Sequence, residues 1–192
     1  MRSRVFACFL LLATACAGPG KVTRLDDNSV VDLSGKWNDT DSRLVSSEMI
    51  ADLLGSAGFL ELGNRLNRAP AIIVGTVVNK SHEHIDVATF TRDIERAITN
   101  SGKARFVASR SERGELRRER ADQMTNASDD TKKDFGQERG ADLMLKGEIN
   151  STVDESQKRT LVVYQVGMFL IDLETNDKTW IGDKTIKKVL EQ

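Results

Sequence analysis

Cys16 carries the clearest chemistry in the chain. It closes the stretch MRSRVFACFLLLATAC and follows the small residues Ala13, Thr14 and Ala15. Arg2 and Arg4 make a positive start, and Val5 to Ala13 is an apolar run too short to span a bilayer. This pattern fits a bacterial lipobox, with Ala13 where leucine is more usual, and is preferred over an ordinary secretory leader with a chance cysteine because small residues directly precede Cys16. Cleavage is expected between Ala15 and Cys16, with the new thiol diacylated and the amine acylated. Several acyl chains anchor a protein durably, at about 0.8 kcal/mol per buried methylene. Ala17 follows Cys16 where an aspartate would signal retention at the inner membrane. The expected location is therefore the periplasmic face of the outer membrane, held by lipid.

Other groups have weaker claims. His82-Glu83-His84 with Asp86 offers two imidazoles and carboxylates, and two histidines plus a carboxylate can make an open zinc site. A solvated polar loop accounts for the same residues, so no metal and no other cofactor is expected. Arg110 to Arg120 holds five arginines interleaved with Glu112, Glu115 and Glu119. Alternating signs at helical spacing describe an ion-paired, solvated face rather than a phosphate strip. Asp52, Glu61, Asp93 and Glu95 are carboxylates on helices, but no spacing selects a pair for glycoside hydrolysis. No nucleophile elbow, phosphate loop or dinucleotide fingerprint is present. Cys8 leaves with the leader and Cys16 is acylated, so no thiol or disulfide remains. Loss of Arg2 and Arg4 moves the formal charge from −1 to −3, which argues against a nucleic-acid partner. No catalytic residue is assigned, and a hydrolase is the least favoured class.

These groups need elements to position them. Residues 16–35 (CAGPGKVTRLDDNSVVDLSG) have the composition of a flexible tether, roughly 70 Å long at full stretch. Residues 36–192 form the globular domain. A first helix is expected over Ser42 to Leu54, capped by Thr40 or Asp41 and ended at Gly55, with Val45, Met49 and Leu53 on one face. A short helix over Phe59 to Leu66 follows. Ala71 to Val78 (AIIVGTVV) is a strand of the kind covered on both faces. After the loop NKSHEH comes a helix capped by Asp86, with Val87, Phe90, Ile94 and Ile98 in a stripe and Gly102 at its end. Lys103 to Ala108 then reads as a parallel strand, closing a βαβ unit. Ser109 and Glu112 have capping-box spacing before a charged helix to about Met124, and Ser128 opens a further helix that Gly140 ends.

The last third reads as a meander. Leu143, Leu145 and Ile149 alternate with more polar residues, 154–158 turn, and Leu161 to Leu173 is a central strand apolar on both faces. Asn176 lies in the second turn and Trp180 to Leu190 closes the domain, with Trp180 in the core. Trp37 is expected to pin the tether to the domain. The fold class is α+β: a small mixed sheet, made of the βαβ unit and an antiparallel meander, flanked by about four helices.

Four stretches resemble one family: DLSGKWNDTDSRLVSSEMI (32–50), IIVGTVVNKSHEHIDVATFTRDIERAITNSGKARFVASR (72–110), GADLMLKGEIN (140–150) and YQVGMFLIDLETNDKTWIGDKTIKKV (164–189). The chain resembles the LpoB family of outer-membrane lipoproteins. The resemblance implies a domain like the N-terminal domain of TolB, with no catalysis of its own. It implies docking on a regulatory domain of a bifunctional class A penicillin-binding protein, a peptidoglycan synthase, and activation of its glycan polymerisation. The alternative is a structural lipoprotein of an envelope complex. For the docking surface the sequence offers the loop after the first strand, with Asn79, His82, Glu83 and His84 as candidate contacts, because loops on rigid scaffolds carry recognition.

Overall fold

The computed structural model describes residues 22–27 and 29–191. The leader, Ala15 and Cys16 lie outside them. Four helices and five strands follow in the order α1 (Asp39–Gly55), α2 (Ala57–Leu66), β1 (Ala71–Asn79), α3 (Val87–Ser101), β2 (Arg105–Phe106), α4 (Arg110–Asn126), β3 (Leu143–Glu155), β4 (Arg159–Asp172) and β5 (Lys178–Glu191). The strands form one sheet, β2-β1-β3-β4-β5. β1 runs parallel to β2 and β3, and β3, β4 and β5 alternate antiparallel. The α+β class, the parallel βαβ unit and the C-terminal meander are as the sequence implies.

Local chemistry accounts for most boundaries. α3 starts where Asp86 Oδ1 accepts from Ala88 N–H (2.9 Å) and stops at Gly102 with φ 70°. Ser109 and Glu112 close the expected capping box on α4. α1 begins earlier than expected. Its cap is Asn38, not Thr40 or Asp41, because Asp41 sits at the third helical position and completes a reciprocal box with Asn38. Its end is also different: Ser56, in extended conformation, caps α1 and opens α2, so Gly55 is simply the last helical residue.

One core holds the domain together. Val45, Met49 and Leu53 of α1 and Phe90, Ile94 and Ile98 of α3 pack on Leu143, Leu145, Ile149, Val166, Met168 and Leu170, with Trp180 beneath α1. Trp180 Nε1 donates to Asp52 Oδ2 at 2.7 Å. Among the described residues, only one face of the sheet is covered in this way. β4 buries Val162, Tyr164, Val166, Met168 and Leu170, while Val163, Phe169 and Ile171 on its other face stay half-exposed. β4 is interior but not covered on both sides, and β3 holds the middle of the sheet. β1 likewise buries Ala71 and Ile72 and then emerges.

Two more expectations are corrected. β2 has two residues, not six, because the chain leaves the sheet after Phe106. No helix forms over 128–139. Ser128 makes a single turn through Lys132 N–H (3.1 Å), and Gly136 takes φ 78°. The segment has capping residues but no apolar stripe, and its one large apolar side chain, Phe135, is 53% exposed. Capping without burial does not sustain a helix.

At the end of the sheet opposite the candidate loop, two carboxylates clamp turns. Asp142 takes a forked pair of bonds from Arg68 (2.7 Å each) and one from Ala71 N–H. Buried Asp172 accepts from Arg65 and from Glu174 N–H. The Arg68 bonds hold the Asp142 carboxyl below its ordinary 3.8, against burial. At Asp172 burial pushes upward most strongly, and the Glu174 N–H and Arg65 together outweigh it. Both native values lie below the unfolded one, so their contribution is complete above about pH 4 and disappears as pH falls through the native values. Urea titrations from pH 6 to 2 will show this acid loss, and Asp142→Asn will flatten it.

Candidate functional site

The loop between β1 and α3 owes its shape to an irregularity in β1. Ile72 and Val74 pair with Leu143 and Leu145 on the helix-covered face. The register slips between Val74 and Val77, so Val77 and Asn79, rather than Thr76 and Val78, continue that face opposite Gly147 and Ile149. A bulge adds one residue and reverses the alternation beyond it. Asn79 is thereby aimed into the loop. Its Nδ2 donates to Glu83 O (2.8 Å), and its Oδ1 accepts from Ser81 N–H (2.9 Å) and Ser81 Oγ (2.6 Å).

Glu83 turns inward. Its Oε1 accepts from the Tyr164 hydroxyl at 2.6 Å, and its Oε2 accepts from Trp37 N–H at 3.1 Å. The same hydroxyl lies 3.0 Å from the Gly35 carbonyl. Burial and the adjacent Glu83 carboxylate push the Tyr164 phenol well above its usual range, so it remains a donor. Trp37 stands edge-on to Tyr164 at 5.4 Å and donates through Nε1 to Ser42 Oγ at 2.8 Å. His82 stacks over Tyr164, with Nδ1 2.5 Å from Ser151 Oγ and Nε2 3.5 Å from Glu83 Oε1. His84 points outward and is exposed.

These contacts fasten a strap, residues 29–38, across the end of the sheet. Lys188 on β5 reinforces it with Nζ 2.6 Å from buried Asp41, 2.8 Å from Asp32 and 3.0 Å from Lys36 O. Arg43 adds a bond to Ser29 O, and Asn38 Nδ2 one to Val31 O. Trp37 thus holds the segment that precedes the domain, as its position suggests. Tyr164→Phe removes the one hydroxyl proton, which points chiefly to Glu83 at 2.6 Å and is shared with the Gly35 carbonyl at 3.0 Å. The expected cost is about 2 kcal/mol, the range for a hydrogen bond to a charged group. Urea denaturation measures it, and trypsin will cut faster after Lys36.

The four candidate contacts therefore divide. Asn79 and Glu83 shape the loop from inside, and His82 and His84 form its outer surface. Asp86 is occupied as the α3 cap and does not join the histidines. Ser151, Tyr164 and Lys188 read in the sequence only as strand residues, because each lies 69 or more residues from its partner here. Among the described residues, two of the five α4 arginines are ion-paired, and their partner lies beyond the helix rather than among the interleaved glutamates. Arg117 and Arg120 both grip Glu138, whose carboxyl the two guanidiniums lower to about 2. Of the helix carboxylates, Asp52 binds Trp180 and Asp93 pairs with Arg96.

A family model described as "Peptidoglycan-synthase activator LpoB" matches residues 41–186. The chain belongs to the LpoB family. By that description the family activates a synthase and is not itself one. Among solved structures, the LpoB C-terminal domain from Escherichia coli is similar at 17% identity, covering 77% of this chain and 99% of that one, with a TM-score of 0.49. The LpoB C-terminal domain from Salmonella enterica has 14% identity, the same coverage and a TM-score of 0.48. The PelC dodecamer from Paraburkholderia phytofirmans has 15% identity over 63% of this chain and 72% of that one, with a TM-score of 0.32. No curated protein matches. The span matched by the LpoB model holds the loop and Tyr164, while the strap and Lys188 lie outside it. No helix among the described residues is long and apolar enough to cross a membrane.

Proposed function

We propose that the chain is an outer-membrane lipoprotein that binds and activates a bifunctional class A penicillin-binding protein during peptidoglycan synthesis. The observation that carries this reading is the family match across residues 41–186. Cleavage between Ala15 and Cys16 and acylation of Cys16 supply the anchor, residues 16–35 the tether and 36–192 the working domain. The chain performs no chemistry on glycan. It acts by linkage: it binds the active form of the synthase more tightly than the idle form and so shifts the population. A tenfold preference is worth about 1.4 kcal/mol. At the loop, His82 and His84 meet the partner, and Asn79 and Glu83 hold the shape it meets.

The test is polymerisation of lipid II by the detergent-solubilised class A synthase of the same bacterium, with and without the purified domain. A rate increase of several-fold is expected, together with saturable binding. An unchanged rate with every class A synthase of that organism overturns the reading. Mass spectrometry of the native protein checks the anchor separately, because an intact leader without acyl groups removes it.

A further inference from the structure

The βαβ unit leaves a gap in the sheet. β2 pairs with β1 only at Ala71 and Ile72, and the last main-chain bond across that edge runs from Val107 N–H to Ile72 O at 2.9 Å. The chain then departs into α4, while β1 continues to Asn79. From Val74 onward β1 has no strand on that side among the described residues. In its place is an open groove of about 610 Å³. Its floor is Val74 to Val77, one wall is the α3 face with Ala88, Thr91, Arg92 and Glu95, and the other is the start of α4, with Ser111 and Glu112, so two carboxylates and one guanidinium line it.

The opposite edge of the sheet is built differently. β5 carries Asp183, Lys184, Lys187 and Glu191 along its length, besides Lys188, whose side chain is mostly buried. Charged side chains on an edge strand discourage pairing with another chain. The free part of β1 (VGTVV) carries none and is recessed between two helices. The bulge between Val74 and Val77 divides its free main-chain donors and acceptors into two short runs, one on either side of the bulge, with which an extended backbone can pair.

We propose that this groove is a strand-addition site in which an extended segment of the synthase pairs with the free edge of β1 and sets a lysine or arginine between Glu95 and Glu112. The site rests on the activator reading and names where and how the partner is gripped. Its charge preference follows from the walls. Burial and the nearby Glu112 carboxylate raise the Glu95 carboxyl, with Arg92 only partly opposing them. A cation brought between the two acids relieves that repulsion. The groove ends at Asn79, so a strand lying in it runs up to the loop that presents His82 and His84.

The experiment is amide hydrogen exchange on the purified domain with and without the solubilised class A synthase, paired with binding measurements on variants. Protection by tenfold or more is expected for those amides between Val74 and Val78 that face away from β3. Ala88→Trp, an exposed position on the α3 wall, fills the groove and weakens binding at least tenfold. Ser111→Trp does the same from the α4 wall and stands in should the first variant fold poorly. Glu95→Gln weakens binding about threefold and lowers its salt sensitivity. Tight binding that both tryptophans leave unchanged, with the β1 amides unprotected, overturns the groove and leaves the activator reading intact. Failure of the domain to bind the synthase at all overturns both. Protection that grows with the domain's own concentration, without synthase, assigns the groove to a second copy and overturns the synthase segment.

Discussion

Gly58→Ala will destabilise the domain by about 2–3 kcal/mol, against the direction that helix propensity gives. Gly58 lies in the first turn of α2, where alanine is intrinsically better by about 1 kcal/mol. A Cβ at this position would stand 2.1 Å from the main-chain oxygen of Thr179 on β5 and 3.1 Å from its carbonyl carbon. The obstacle is backbone, at the bulge of β5 where Thr179 has no partner on β4, so no rotamer change relieves it. Either α2 lifts away from β5 or β5 bends, and Phe59 and Leu62, which α2 buries, lose packing. Overpacking of this kind costs about 1–3 kcal/mol and sometimes more. Gly63 in the same helix is the control. A Cβ there meets nothing within 4 Å, so Gly63→Ala should stabilise by about 0.5–1 kcal/mol. Urea midpoints of the two variants should move in opposite directions. Equal gains at both sites would mean that α2 does not approach β5 so closely.

Lys188→Met will cost more, about 3–4 kcal/mol. The Lys188 side chain is 10% exposed and that of Asp41 only 3%. Removing one member of a buried pair strands the other charge, which typically costs 3–5 kcal/mol. Asp41 would keep only the Asn38 N–H (2.9 Å). Burial alone would lower the Lys188 ammonium, but the carboxylates of Asp32 and Asp41 outweigh it and raise it above its ordinary 10.5. Its contribution is therefore complete below pH 10.5 and is lost as pH rises through the higher native value. Adding Asp41→Asn to Lys188→Met should recover at least half of the loss, because no charge is then buried while the amide oxygen can still accept from Asn38. Thermal melts of the single and double variants check this. A double variant as unstable as the single one would show that the loss came from the lysine stem and not from the stranded carboxylate.

What could be read from the sequence was what neighbouring residues decide together. The cap at Asp86, the stripe through Phe90, Ile94 and Ile98 and the stop at Gly102 lie on one local helix, and all three are found in place. The Ser109–Glu112 box is equally local. The 128–139 segment carried the same kind of capping signal and failed, because no apolar face backed it. The site was legible only as a location. The bulge that turns Asn79 inward depends on pairing with β3, and nothing in VGTVVN announces it. Glu83 looked like a solvated loop acid because Tyr164 and Trp37, which occupy both of its oxygens, arrive from 81 residues downstream and 46 upstream. A carboxylate proposed as a contact for another protein is first a contact within this one, so charge reversal at Glu83 would report on the strap and not on docking.

The strap also bears on how far the domain can travel from its proposed anchor. With residues 29–35 fastened, twelve residues separate Cys16 from Ser29, a reach of about 45 Å at full extension. Peeling the strap from Tyr164 and Lys188 would release seven more, adding roughly 24 Å of slack. A leash that lengthens only under load would let a lipoprotein follow a receding synthase before the connection breaks.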